Sequence, residues 1–397
     1  MFKATKVRLY PTSEQRRALA FQFGAMRWAY NFALHWRREA WAGNDERISK
    51  RMTLDRLVAL KRAEETAWLK EADSQALQQA VIHLDDAFKR FFKGLGRYPR
   101  LKSKHGKQSM SYPQRIKVVE GRALYLPKVG VVKAVLHRVL VGRIKTVTVS
   151  RTHTGKYYAS ILCDDGQPHP APVKVLAEEN IIGVDMGLSH LVIASTGEKQ
   201  TNPRFLKRAS ANLRRKQKSL SRKKKGSANR NTARVLVAKA HERVANARND
   251  FQHKLSRRLI DENQAICVET LKVTNMLKNR RLAQTIADAA WGELVRKLDY
   301  KATWAGKHLV WIVTWYPSTK TCCHCALKMT SLPLSARQWR CPTCGAAHDR
   351  DVNAALNIKQ QGILQLKAEG LSVSACGGMH KTVTLPAAAC EARNPVL

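Results

Sequence analysis

Two sets of residues in this chain have the types and spacings that chemistry requires: three acids beside apolar runs, and four cysteines in two pairs. Asp185 closes Ile181-Ile182-Gly183-Val184-Asp185, and Glu269 closes Ala265-Ile266-Cys267-Val268-Glu269. Both runs read as short buried strands that deliver a carboxylate at one end. Asp351 opens Asp351-Val352-Asn353-Ala354-Ala355-Leu356-Asn357-Ile358, a helix whose small residues suit close packing against a sheet. A carboxylate at the end of a buried strand is costly unless it binds something. Acids converging from two strand ends and a helix start are what two-metal phosphodiester hydrolysis needs, with two Mg²⁺ (or Mn²⁺) ions roughly 4 Å apart. Taken singly, each acid reads equally as a cap or a surface residue.

The cysteines give a sharper signal. Cys322-x-x-Cys325 is followed after fifteen residues by Cys341-x-x-Cys344. Two thiolate pairs on tight knuckles close a tetrahedral shell around one Zn²⁺, with no open position, so the ion is expected to be structural. Pro342 and Gly345 supply turn chemistry at the second knuckle. Cys323 stands too close to Cys325 for a normal knuckle, and His324 and His348 are not needed as ligands while four cysteines are present.

The elements that must position these residues show in the hydrophobic pattern. Residues 2–10 alternate as a basic strand, and Thr12 with Gln15 forms a capping-box pattern ahead of a long helix. That helix carries Leu19, Phe23, Met26, Tyr30, Ala33 and Leu34 at helical spacing, and Trp28, Trp36 and Trp41 read as core. Helical pattern resumes from about Leu54 to Lys93. From about Arg115 to Cys163 the period changes to two, with a hairpin turn at His153-Thr154-Gly155. Residues 164–178 hold three prolines and read as a linker; a second domain starts at Ile181. Between Arg204 and His241 stand fourteen Lys or Arg and no acid, including Arg222-Lys223-Lys224-Lys225. Because a helix from about Val235 to Leu259 continues directly, this run reads as a phosphate-docking surface and less as a solvated face. Pattern weakens from about Gly362, so residues 362–397 are expected to be a disordered tail.

Composition agrees with a nucleic-acid partner. Lys plus Arg total 71 against 30 Asp plus Glu, a net charge of +41 over 397 residues, and a polyanion is the natural neutraliser of such self-repulsion. There is no apolar run of membrane-spanning length and no signal-peptide pattern, so a cytoplasmic protein with no membrane partner is expected. The nine cysteines suit metal ligation in a reducing compartment.

These residues resemble the TnpB family, transposon-encoded RNA-guided nucleases related to the compact type V CRISPR effectors. The resemblance is carried by Val7-Arg8-Leu9-Tyr10-Pro11-Thr12, Tyr157-Tyr158-Ala159-Ser160, the Gly183-Val184-Asp185-Met186-Gly187 strand, Val244 to Phe251 and Glu269. It continues through Asn275-Met276, Asn279-Arg280-Arg281-Leu282, Trp291-Gly292, Tyr316-Pro317-Ser318 and His348-Asp349-Arg350-Asp351-x-Asn353-Ala354-Ala355. It implies an α/β multidomain protein: a RuvC/RNase H-like nuclease domain with an inserted four-cysteine zinc ribbon, preceded by a β-barrel wedge domain with a helical recognition insertion. The expected boundaries are 1–12 for the first barrel strand, 13–97 for the insertion, 98–172 for the barrel and 173–178 for a linker. The nuclease domain then takes 179–316, with its basic helical segment at 204–262; the ribbon takes 317–347, and 348–361 complete the nuclease domain.

The resemblance further implies a guide RNA from the element's own end, bound by a monomer in a bacterial or archaeal cytoplasm. It implies double-stranded target DNA recognised beside a short adjacent motif, and cleavage of both strands in one site by Asp185, Glu269 and Asp351. It favours Asp351 over Asp349 because the family's third acid stands two residues before the asparagine. Motif reading would fall to the recognition helix near Ser74, Gln75 and Gln78 and to a loop carrying Ser111 and Tyr112. Two other readings fit parts of the sequence. One is a catalytically inactive RNA-guided regulator, which would ordinarily lack one of the three acids. The other is a guide-independent nucleic-acid-binding zinc protein.

Overall fold

The computed structural model describes residues 1–44, 46–333 and 335–374. The chain divides into two compact units, one formed by Met1–Pro168 with Asn212–Glu242, the other by His169–Ala211 with the residues from Arg243 onward. The basic segment expected within the nuclease domain is therefore shared: its central part, 212–242, belongs with the first unit.

In the first unit, β1 (Phe2–Tyr10) is followed by α1 (Ser13–Asn44), α2 (Lys50–Arg62), a 3₁₀ turn (Glu64–Glu71) and α3 (Ser74–Phe92). Then come β2 (Gln108–Tyr112), β3 (Lys117–Val119), β4 (Ala123–Leu126), β5 (Gly130–Val135), β6 (Arg143–Arg151) and β7 (Tyr157–Asp164). The capping box at α1 is formed in both directions: Thr12 N–H donates to Gln15 Oε1 at 3.1 Å and Gln15 N–H to Thr12 Oγ1 at 3.2 Å. The apolar stripe read from the sequence, Leu19 through Leu34, is buried. Of the three tryptophans read as core, Trp28 is half-buried and stacks on Phe32, whereas Trp41 is 51% exposed.

The strands make one antiparallel sheet in the order β2-β6-β7-β1-β5-β4-β3. The first strand of the chain thus lies at its centre, with Val7 and Leu9 alternating inward. Among the described residues β2 and β3 do not pair with each other, so the hydrogen bonding is that of an open sheet.

The second unit begins with β8 (Val175–Ala177), β9 (Ile181–Asp185), β10 (His190–Ala194) and β11 (Lys199–Thr201). α4 (Phe205–Ser221) and α5 (Ala228–Glu262) each run through the residue ranges of both units. Next are β12 (Ala265–Glu269), α6 (Val273–Met276), α7 (Ala283–Ala289), α8 (Trp291–Ala305) and β13 (His308–Ile312). β14 (Gln338–Arg340), β15 (Ala347–Asp349), α9 (Arg350–Ala368) and β16 (Ser372–Ser374) complete the chain. The main sheet has the order β11-β10-β9-β12-β13; β9, β12 and β13 are parallel and β10 is antiparallel to both neighbours.

Its central strands β9 and β12 carry no polar side chain before their closing acids because both faces are covered. Ile182, Val184, Ile266 and Val268 pack with Leu255 and Leu259 of α5 and Leu294 and Leu298 of α8. Ile181, Ala265, Cys267, Val310 and Ile312 pack with Ile358, Ile363 and Leu366 of α9. Two expectations are corrected here. Residues 175–177, read as linker, form β8 paired with β16, and residues 362–374, read as disordered tail, continue α9 and then form β16. Residues 375–397 of that expected tail lie outside the described residues. Among the described residues no helix is long and apolar enough to cross a membrane.

Candidate active site and zinc centre

β9 and β12 run in parallel register with Val184 opposite Val268, so the next residues, Asp185 and Glu269, stand side by side at the strands' carboxyl ends. Which face they share follows from the glycines. A Cβ on Gly183 would lie 2.0 Å from the Ala355 carbonyl oxygen, and one on Gly362 would lie 2.0 Å from Cys267 Sγ. Gly183 and Cys267 therefore face α9, and by the two-residue period so do Asp185 and Glu269. Helix α9 lies close on this face because Ala354 and Ala355 are fully buried and Gly183 and Gly362 add no side chain. Asp351, one helical turn before Ala355, falls on the same stripe.

The effect of this arrangement is felt at Asp185. Burial, and then the charges of Glu269 and Asp351, push Asp185 up to about 8. Burial also raises Glu269, opposed by the Ser318 hydroxyl, which donates to Glu269 Oε1 at 2.6 Å. Asp351 Oδ1 is 3.5 Å from Arg337 Nη1. Asp185, raised by burial and by two neighbouring carboxylates, is a group that a divalent cation would stabilise in its charged form, and an all-oxygen donor set fits such an ion.

Asp349 does a different job. Its Oδ1 accepts from the N–H groups of Asp351 and Val352, both at 3.1 Å, which makes it the cap of α9, and its Oδ2 meets Lys199 Nζ at 2.6 Å. Against the upward push of burial, these contacts hold Asp349 below the usual carboxylate range.

The ligand sulfurs of Cys322, Cys325, Cys341 and Cys344 all lie within 4.8 Å of one another. Cys322 Sγ is 3.7 Å from Cys344 Sγ, and Cys325 Sγ is 3.5 Å from Cys341 Sγ. Four thiolates at about 2.3 Å from one zinc ion are spaced about this far apart, so the cysteine set fits zinc. Hydrogen bonds from the backbone at Cys344, with another from Thr343, bring Cys341 down to about 7. Cys323 points away from this shell toward His348, whose Nε2 is 3.1 Å from Cys322 Sγ. The three carboxylates are spread more widely than the cysteine set.

Sequence reasoning missed the clamp that joins the zinc knuckle to α9. The amides of Asn353 and Asn357, both buried, donate to the carbonyls of Ser318 and Thr321, with Asn357 at 2.8 and 2.6 Å. Asn353 Oδ1 accepts from Cys323 N–H at 3.0 Å. The face of α9 bearing 353 and 357 thus holds the ribbon while the face bearing 351, 355, 358 and 362 holds the sheet. Polar asparagines recurring at helical spacing beside an apolar stripe were the available signal.

The remaining expected site residues are placed as follows. Arg222, Lys223, Lys224 and Lys225 are all exposed at the turn between α4 and α5, which Arg230 closes by donating to the carbonyls of Leu220 and Lys223. Ser74 and Gln78 are exposed on the first turns of α3 and Gln75 is half-buried; Gln75 donates to Gln114 at 3.1 Å. The loop expected to carry Ser111 and Tyr112 is strand β2, and both residues are buried. Ser111 Oγ is paired with Thr148 Oγ1, and the Tyr112 hydroxyl donates to the Pro127 carbonyl, so neither is presented to a ligand.

Three family models match along the chain: residues 162–280 match one described as "Probable transposase", 291–358 one described as "Cas12f1-like, TNB domain", and 1–46 one described as "Helix-turn-helix domain". In that last span the described residues form β1 and the single helix α1. A Streptomyces pristinaespiralis protein named "Putative RNA-guided DNA endonuclease" is 44% identical over 379 residues, 94% of this chain and 91% of the relative. The Escherichia coli K12 protein named "Putative RNA-guided DNA endonuclease InsQ" is 31% identical over 393 residues, 95% of this chain and 94% of the relative. Among solved structures, a chain from the "Cas12f1-sgRNA-target DNA complex" shares the fold at a TM-score of 0.55 and 11% identity, covering 90% of this chain and 98% of that one. The acids and the four-cysteine ribbon stand where the sequence motifs put them and the relatives match nearly end to end; the chain belongs to the TnpB family.

Proposed function

We propose that this protein is an RNA-guided DNA endonuclease that cuts both strands of target DNA in one RuvC-like site. The observation that carries the reading is the convergence of three acids on one face of the sheet: parallel register sets Asp185 beside Glu269, and the charges of Glu269 and Asp351 add to burial in raising Asp185. Asp185, Glu269 and Asp351 would hold two Mg²⁺ ions, with Mn²⁺ as a substitute. When bound, these ions supply water activation and stabilisation of the leaving oxygen. The protein's own contribution is positional: parallel register aligns Asp185 with Glu269, Ser318 fixes one carboxylate oxygen of Glu269, and the Asp349 cap sets the first turn that carries Asp351. Zinc in the four-cysteine ribbon would be structural, holding the loop from which Ser318 reaches Glu269.

In this reading the first unit's seven-stranded sheet is the wedge domain and the helices α1–α3 are its recognition insertion. A guide RNA from the element's own end pairs with the target beside a short adjacent motif. Ser74 and Gln78, exposed at the start of α3, and the half-buried Gln75 between them stand where motif reading fits. The relatives' names and the complex in which the Cas12f1 chain was solved support RNA and DNA as the partners.

The deciding experiment expresses the chain with its flanking element DNA, sequences the RNA that copurifies, and supplies a matching duplex with and without Mg²⁺. Discrete RNA and Mg²⁺-dependent cutting of both strands are expected. Discrete RNA without cutting would leave an inactive guided regulator, and absence of both would leave a zinc protein that binds nucleic acid without a guide.

A further inference from the structure

Trp315, in the loop that follows β13, is a large hydrophobic residue left in water. It is 85% exposed, and its backbone sits at φ +77°, the left-handed region that a bulky side chain rarely adopts. A tryptophan held in an unfavourable conformation and kept in water gains nothing for folding, so the benefit must come from what it meets. Its position says what that is. Lys272 Nζ stands 5.6 Å from the ring centroid, and Lys272 follows Glu269 by three residues at the carboxyl end of β12. Three residues after Trp315, Ser318 donates to that same Glu269 at 2.6 Å. Thr270 Oγ1 donates to the Ile312 carbonyl at 2.8 Å, which ties the end of β12 to β13 and keeps both segments at the acid end of the sheet.

We propose that Trp315, with Lys272 beside it, is a stacking platform for a base of the single DNA strand that enters the Asp185, Glu269 and Asp351 site. An aromatic face accepts any base, and an adjacent ammonium neutralises the backbone phosphate that comes with it, so the pair binds an unpaired strand without reading sequence. A protein partner would gain little from a lysine at the centre of its contact in a chain of net charge +41, whereas a polyanion is drawn to it. The identity of the strand as substrate rests on the nuclease reading; the stacking itself rests on the geometry of Trp315 and Lys272.

The test uses the full chain in buffer without Mg²⁺ and a short oligothymidylate bearing 5-iodouracil, irradiated to cross-link the base to whatever ring it stacks on. The expected result is an adduct on the Trp315 peptide that disappears in Trp315→Ala and returns at the phenylalanine site in Trp315→Phe. With Mg²⁺ and guide, Trp315→Ala should raise KM for the cut strand about tenfold with little change in kcat, the loss of one stacked base. Melting temperature and zinc content should stay at wild-type values. Adducts that map elsewhere, or a Trp315→Ala variant with unchanged KM, would overturn the proposal. Failure of the wild type to cut would count against the nuclease reading alone, because the cross-link is scored without catalysis.

Discussion

The Ser318 hydroxyl reaches Glu269 at 2.6 Å from a loop whose own carbonyl, at Ser318, is gripped by Asn353 and Asn357 of α9. The zinc knuckle, the helix carrying Asp351 and the strand carrying Glu269 thereby meet at one serine. Ser318→Ala should raise Glu269 further above its usual range and increase the Mg²⁺ concentration for half-maximal cleavage by roughly tenfold, as expected for a lost hydrogen bond to a charged group. Ser318→Thr should recover it. Cys341→Ser, which opens the zinc shell, should produce the same Mg²⁺ defect together with a lower melting temperature. A Ser318→Ala enzyme with the wild-type Mg²⁺ requirement would show that the contact does not tune Glu269.

The approach of α9 to the sheet is set by Gly362 against Cys267. Gly362→Ala would put a methyl 2.0 Å from Cys267 Sγ and should cost about 2 kcal/mol or more by overpacking. In a Cys267→Ala background, with the sulfur gone, the same change should cost markedly less. Thermal melts of the four proteins form the cycle, and equal costs in both backgrounds would rule out the contact as the cause.

Asp185 gives the metal-free protein a pH dependence of defined sign. Its folded value, about 8, lies above its unfolded one, so its neutral form contributes stability fully present below about pH 4 and lost as pH rises through about 8. Melting temperature without Mg²⁺ should therefore fall toward alkaline pH, and Asp185→Asn should flatten that fall. Mg²⁺ affinity should rise over the same window, because binding requires the ionised carboxylate.

Two acids two residues apart have opposite assignments. Asp351→Ala, like Asp185→Ala and Glu269→Ala, should abolish Mg²⁺-dependent cleavage while guide-directed DNA binding persists. Asp349→Ala removes a helix cap and should lower stability by about 1 kcal/mol while leaving measurable cutting. A dead Asp349 variant beside an active Asp351 variant would reverse the roles.

At the turn between α4 and α5, replacing Arg222, Lys223, Lys224 and Lys225 together with Ala should weaken nucleic-acid binding and flatten its salt dependence. Each lost phosphate contact removes about one released counterion from the slope. An unchanged slope in a salt titration would mark the four as solvated charge.

Much of the site was legible in the sequence because it is written in local code. An acid ending a run of apolar residues, a Cys-x-x-Cys pair and an acid opening an alanine-rich helix each depend on a few consecutive positions, so Asp185, Glu269, Asp351 and the four cysteines could be named one by one. The central place of β1 and the asparagine clamp depend on what lies opposite. The sequence placed Ser111 and Tyr112 on a loop because Gln108–Tyr112 is short and polar; only pairing with β6 makes it a strand. Likewise β8 and β16 are three residues each, too short to show a period, and exist because each supplies the other's hydrogen bonds. Gly183 and Gly362 look in sequence like any other glycine, and only the close approach of α9 to the sheet explains why neither can carry a side chain. Residue type and spacing settled which groups could do chemistry; tertiary packing decided which of them face one another, because burial, register and mutual charge are properties of neighbours far apart in the chain.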